Sequence, residues 1–122
     1  MPTTTHQLID DYVQWLRDRT ALRELEDWVE VTTPYLDRHN DYLQIYVGRQ
    51  GDEVILTDDG YILRDLEQSG CALDTDKRRQ LLESTLRGFG IAERGGALEV
   101  RTSEGGFAAK KHDLVQAMLA VN

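Results

Sequence analysis

Two adjacent carboxylates, Asp58 and Asp59, stand at the end of an apolar run in Leu56-Thr57-Asp58-Asp59-Gly60-Tyr61. Paired carboxylates where a strand ends can hold a divalent cation. They can also cap a following helix, because Asp accepts backbone N–H bonds and its charge suits the positive helix end. Asp-Gly is in addition a turn signal. Capping and turn formation are the expected roles. Two cations are placed where apolar residues would be expected. Lys111 precedes Leu114, Val115 and Met118 by three, four and seven residues, so it shares the buried stripe of its helix. Arg78 stands in the same relation to Leu81, Leu82 and Thr85. Each can snorkel outward from the first helical turn, or one can reach the Asp58–Asp59 turn as the partner a buried cation needs. His112 lies at the edge of the last apolar face, as a packing or surface residue.

The signatures of common enzymes are missing. The three histidines and the single cysteine lack metal-ligand spacing, so no metal site is expected. There is no phosphate-binding glycine loop and no Gly-x-Ser-x-Gly elbow. A metal-dependent nuclease would want Glu or Asp two residues before Lys. Asp52, Glu53, Asp58 and Asp59 supply acids, but no Lys follows at that spacing, and Lys110 or Lys111 would have to come from the last helix. No catalytic residue and no cofactor is assigned.

The elements that must position these residues follow from periodicity. An amphipathic helix is predicted from about Thr5 to Leu25, with Leu8, Ile9, Tyr12, Val13, Trp15 and Leu16 on one arc and Asp11 and Asp18 lined up beside it. Val29–Thr33, Tyr42–Val47 and Glu53–Leu56 alternate as strands, with Pro34 ending the first. Helices are predicted at Tyr61–Ser69, with Gly70 beyond it, and from Asp74 or Thr75 to Arg87. Phe89–Glu93 and Ala97–Thr102 read as a hairpin, and a last helix runs from about Ala108 to Val121. The predicted order is α-β-β-β-α-α-β-β-α. This is an α+β fold, with a three-stranded meander and a C-terminal hairpin in a mostly antiparallel sheet packed with about four helices. The 122 residues suit a single domain over 1–122.

Charge is unevenly distributed. The net charge is −8. Residues 1–60 carry 5 basic and 13 acidic residues, and residues 61–122 carry 9 of each. An acidic half repels phosphate, so direct nucleic-acid binding is disfavoured. The basic start of the 75–87 helix, Lys77-Arg78-Arg79, is the feature that would favour it. One cysteine permits no internal disulfide, and neither a signal peptide nor a membrane-length apolar run is legible, so a cytoplasmic location is expected.

Leu56-Thr57-Asp58-Asp59-Gly60-Tyr61, Asp65-Leu66, Ser69-Gly70, Leu81-Leu82 in the Arg-rich helix and the closing Lys111-His112-Asp113-Leu114 resemble the bacterial and phage family known as domain of unknown function 1828. The resemblance runs from about Leu43 to Val121. It implies a mobile-element or host-conflict setting and carries no catalytic residue over to this chain. The expected function is a non-catalytic interaction module that binds a basic surface of a nucleic-acid-handling or defence protein. Its candidate binding residues are Asp11, Asp18, Asp58, Asp59, Arg78, Lys111 and His112. The alternatives are a metal-dependent hydrolase at Asp58–Asp59 and a DNA-binding helix at 75–87.

Overall fold

The computed structural model describes residues 2–71 and 73–122. The chain runs α1 (Thr5–Asp18), β1 (Ala21–Glu24), β2 (Trp28–Leu36), β3 (Tyr42–Gln50), β4 (Glu53–Thr57), α2 (Tyr61–Gln68), α3 (Asp76–Phe89), β5 (Ala92–Arg94), β6 (Ala97–Thr102) and α4 (Phe107–Val121), with a short 3-10 turn before α4. The strands form one antiparallel sheet in the order β1-β2-β3-β4-β6-β5. The fold is α+β, with the expected helices and C-terminal hairpin.

The structure departs from the sequence reading at several elements. The strand expected at Phe89–Glu93 begins only at Ala92, because α3 continues through Phe89 and closes on the left-handed Gly90. The first helix stops at Asp18 instead of continuing to Leu25. The Thr20 hydroxyl bonds back to the Leu16 carbonyl, and Ala21–Glu24 finds a ladder partner in Val29–Thr32. The meander therefore has a fourth strand, β1, at its edge. Pro34 also fails to end β2. The register shifts between Thr32 and Leu36, which accommodates a residue with no N–H to donate. The buried Thr33 hydroxyl makes the cross-strand bond there instead, donating to the Leu43 carbonyl at 2.9 Å.

Helices α2, α3 and α4 lie on one side of the sheet. They bury Ile62, Leu66, Leu82, Leu86, Leu114 and Met118 against Leu43, Ile45, Leu56, Leu98 and Val100. Strand alternation sends the intervening residues to the other side. Ladder partners Glu30 and Tyr46, Thr32 and Gln44, and Tyr46 and Thr57 therefore share the outward face. On that face the Trp28 ring lies flat over Gly48, so close that a Cβ at position 48 would be 2.8 Å from ring carbons.

The two layers are joined by Asp58, which is 1% exposed. Its Oδ1 accepts the Gly60 N–H at 2.8 Å and the Leu98 N–H at 2.9 Å, and its Oδ2 accepts the Ile62 N–H at 3.0 Å. The Asp58 N–H donates to the Leu98 carbonyl. One side chain thus ties the end of β4, the start of α2 and strand β6. The turn beyond it is left-handed, with φ of 57° at Asp59 and 85° at Gly60. Asp tolerates that region better than most residues.

Bonds to a charged acceptor contribute about 1.5–3 kcal/mol each, and buried donors left unmet cost about 1–3 kcal/mol. Asp58→Ala should therefore lose about 3–5 kcal/mol, and Asp58→Asn about 1–3 kcal/mol, because the amide keeps one acceptor and turns N–H groups toward Ile62. Urea unfolding followed by circular dichroism measures both, and a loss below about 1 kcal/mol for Asp58→Ala would remove the carboxylate from this role.

Candidate functional site

The β2–β3 turn and the start of α2 converge beside the outward sheet face. Asp37 is buried in the turn, where its Oδ1 accepts the N–H groups of His39 and Asp41. Its Oδ2 accepts the Tyr61 hydroxyl at 2.7 Å. Asp65, on the next turn of α2, accepts two bonds from the Arg38 guanidinium, at 2.9 and 3.2 Å. Its other oxygen lies 2.9 Å from His39 Nε2. Arg38 also donates to Ser69 Oγ. A two-centre network, Tyr61–Asp37 and His39–Asp65–Arg38, thus fastens the turn to α2.

Burial alone would raise the Asp37 carboxyl, but the bonds from Tyr61, Asp41 and His39 together hold it below the ordinary range. Asp65 behaves alike, with desolvation opposed by bonds from His39 and Arg38. The Tyr61 phenol is pushed up to about 12, first by its bond to Asp37 and then by burial. The His39–Asp65 pair has the form of an oriented base. Among the described residues no hydroxyl or thiol is hydrogen-bonded to His39, so it has no nucleophile to activate.

Next to this network an open cleft of about 460 Å³ is lined by Thr32, Asp41, Tyr42, Gln44, Tyr46, Asp58, Asp59, Tyr61 and Arg64. Asp41 and Asp59 are exposed, and among the described residues neither carboxylate is in an ion pair or a side-chain hydrogen bond. Tyr46 donates its hydroxyl to Glu30, which is also held by Arg23. Burial, then the charge and bond of Glu30, raise the Tyr46 phenol.

The residues singled out in the sequence are dispersed. Asp58 and Asp59 meet at the cleft, but only Asp59 presents a free carboxylate to it. Arg78 does not reach that turn. It is exposed, and its guanidinium pairs with Asp74 at 3.4 Å. Lys111 is half-buried in a separate pocket with Tyr35, Phe107, His112 and Leu119, where desolvation lowers its pKa. Among the described residues no carboxylate lies within ion-pair distance of Lys111, so it does not pair with Asp58 or Asp59. His112 is exposed, with Nε2 2.8 Å from the Gln116 amide nitrogen. Asp11 and Asp18 are exposed on α1, with Asp18 accepting from Gln14. Among the described residues no three His, Cys, Asp or Glu side chains group as a metal site would require. Asp37, Asp41, Tyr46 and Tyr61 were not singled out. The aromatic outward face of β3, Tyr42-Gln44-Tyr46, is the signal that joins the Asp58–Asp59 turn in marking the cleft.

Because Tyr61 is harder to ionise folded than unfolded, its bond adds stability that is complete below pH ~10 and is lost as pH rises through about 12. The depressed Asp37 contributes with the opposite sign, fully above pH ~4 and lost as pH falls through its lowered value. In an ultraviolet titration of the five tyrosines, one phenol should ionise near pH 12, and Asp37→Asn should return it toward 10. A late phase that survives Asp37→Asn would assign it elsewhere.

The family model described as Domain of unknown function DUF1828 matches residues 33–121. No curated protein and no solved structure matches the chain. The match takes in the Asp58 junction, the turn network and most of the cleft, and leaves α1, β1 and the start of β2 before it. From the Thr33 hydroxyl that bonds across to β3 through the last turn of α4, the chain belongs to the DUF1828 family.

Proposed function

We propose that the chain is a non-catalytic protein-interaction module that takes a basic segment of a partner protein in the Asp59 cleft. The observation that carries this reading is the convergence, on the uncovered sheet face, of two free carboxylates with three tyrosines. Asp41 and Asp59 supply the charge. Tyr42, Tyr46 and Tyr61 supply flat, rigid surface that accepts the alkyl stem and the cationic head of Lys or Arg. Arg64 at the margin would pair with an acidic neighbour in the same segment. The acidic excess of residues 1–60 extends the attraction beyond the cleft and speeds encounter with a basic partner.

The Asp58 junction weighs against catalysis as the primary role. The Asp58 carboxylate is occupied by three backbone N–H groups, so it is not available as a base or a metal ligand. The reading places the module in the cytoplasm, where a lone cysteine is at home. The likeness of its motifs to a bacterial and phage family favours a nucleic-acid-handling or defence protein as the owner of the basic segment. No helix among the described residues is long and apolar enough to cross a membrane.

Calorimetric titration with a Lys/Arg-rich peptide tests the cleft. Affinity should fall at least about tenfold between low salt and 0.5 M salt, as screening shortens the reach of each charge. Asp41→Asn with Asp59→Asn should abolish binding while leaving the fold intact, since Asn tolerates the left-handed backbone at 59. Equal binding of an acidic peptide, or full binding by the double variant, would refute the reading.

A further inference from the structure

Helix α4 carries two stripes. Leu114, Ala117 and Met118 are fully buried in the core. Ala108, Lys111, Val115 and Leu119 recur at steps of three and four residues, so they share an adjoining side of the helix. Along that side lies an open pocket of about 530 Å³, bounded by Tyr35 from β2 and Phe107 at the start of α4. Both rings are partly buried against the core, and Val115, 5% exposed, is the most buried residue of the lining. None of the described lining residues is acidic. The chain has 22 acidic residues, so their absence here is a local property of the pocket. Its one fixed charge is Lys111. Burial lowers the pKa of that group, so the amino group itself, and not the stem alone, sits among protein atoms. Among the described residues it has no carboxylate within ion-pair distance and no hydrogen-bond acceptor. A cation drawn partly out of water without a counter-charge is unfavourable, and an anion brought to it restores the lost stabilisation.

We infer that this pocket binds a small apolar monocarboxylic acid, with the carboxylate on the Lys111 ammonium and the hydrocarbon body against Tyr35, Phe107 and Val115. The volume falls within the ~300–1,000 Å³ of small-molecule sites, which combine apolar walls with a few placed polar groups. One cation matches one negative charge. A phosphate dianion would want several donors, and the net charge of −8 repels it more strongly than it repels a carboxylate. The apolar lining demands a body that an inorganic anion lacks. The pocket and the Asp59 cleft share no lining residue, so either reading can fail without the other.

Calorimetric titration of the full chain with phenylbutyrate, octanoate, neutral phenylbutyramide and inorganic phosphate tests the pocket. At least one of the two acids should bind with a dissociation constant of roughly 1 mM or tighter. Phenylbutyramide keeps the body and drops the charge, so it should bind about tenfold more weakly than phenylbutyrate. Phosphate has the charge without the body and should not displace the acid. Lys111→Met keeps an apolar stem in place, so it should lose the preference for acid over amide and still bind the amide. Ala108→Trp fills the pocket from an exposed position and should block acid and amide alike. Because Ala108 is outside the core, that variant tests the pocket whatever the stability of Lys111→Met, and urea unfolding checks both. Asp41→Asn with Asp59→Asn should bind the acid as the parent does. Failure of both acids to bind at about 10 mM overturns the proposal. So does equal binding of acid and amide, displacement by phosphate, or parent-like acid binding by Lys111→Met or Ala108→Trp.

Discussion

A single carboxylate joins the two layers of this protein. Strand β4 ends where α2 must begin, and α2 lacks a hydroxyl or amide cap, because its N-cap position is Gly60. Asp58 meets that need from two residues earlier and at the same time takes the first N–H of β6 that the ladder would leave free. The burial of a full charge is tolerable because three donors converge on it, each aligned with an oxygen. The left-handed pair Asp59–Gly60 follows from this geometry. The chain has to reverse within two residues for Ile62 to present its N–H to the same carboxylate that Gly60 addresses.

Layering decides what the rest of the surface can do. All three helices that pack on the sheet are on one side, so one face of every strand is core and the other is available. The outward face is half aromatic and half charged. The aromatic part rests on Trp28 against Gly48, and the charged part is organised by Glu30, which holds Arg23 and Tyr46 together. The turn network of Asp37, His39 and Asp65 gives the β2–β3 corner a fixed angle to α2. The cleft is the space that this angle leaves open.

Much of this was legible in the residues, and the misses share a cause. Alternation in Tyr42–Val47 sets Leu43, Ile45 and Val47 on one side and Tyr42, Gln44 and Tyr46 on the other, and the first side is the one that meets the core. The spacing of Ile62, Leu63 and Leu66 gave the buried side of α2, and Gly70 marked its end. The Asp58–Asp59 turn stood out, with capping its expected role, but the sequence does not reveal that Leu98, forty residues away, supplies a third donor. Lys111 is half-buried on the inner side of α4, but Arg78, expected on a buried stripe with Leu81, is exposed together with Leu81, because α3 buries only Leu82 and Leu86. Of the two roles open to these cations, pairing with the Asp58–Asp59 turn is not the one found: Asp74 holds Arg78 locally, and Lys111 has no carboxylate within ion-pair distance among the described residues. The Asp37–Asp65 network escaped notice because turn residues look generic until a helix 24–31 residues later is folded against them. Strand β1 escaped because Ala-Leu-Arg-Glu suits a helix as well as a strand, and a neighbour's free edge settled the matter.

The fold is uneven in depth, and its tolerance of change is uneven with it. Every residue of the buried apolar core falls between Val31 and Met118. Helix α1 and strand β1 are attached to it through one ladder, β1 to β2, and contribute no core side chain. A change there leaves the folding of the remainder nearly untouched. A change at the Asp58 junction, by contrast, loosens strand, helix and hairpin at once.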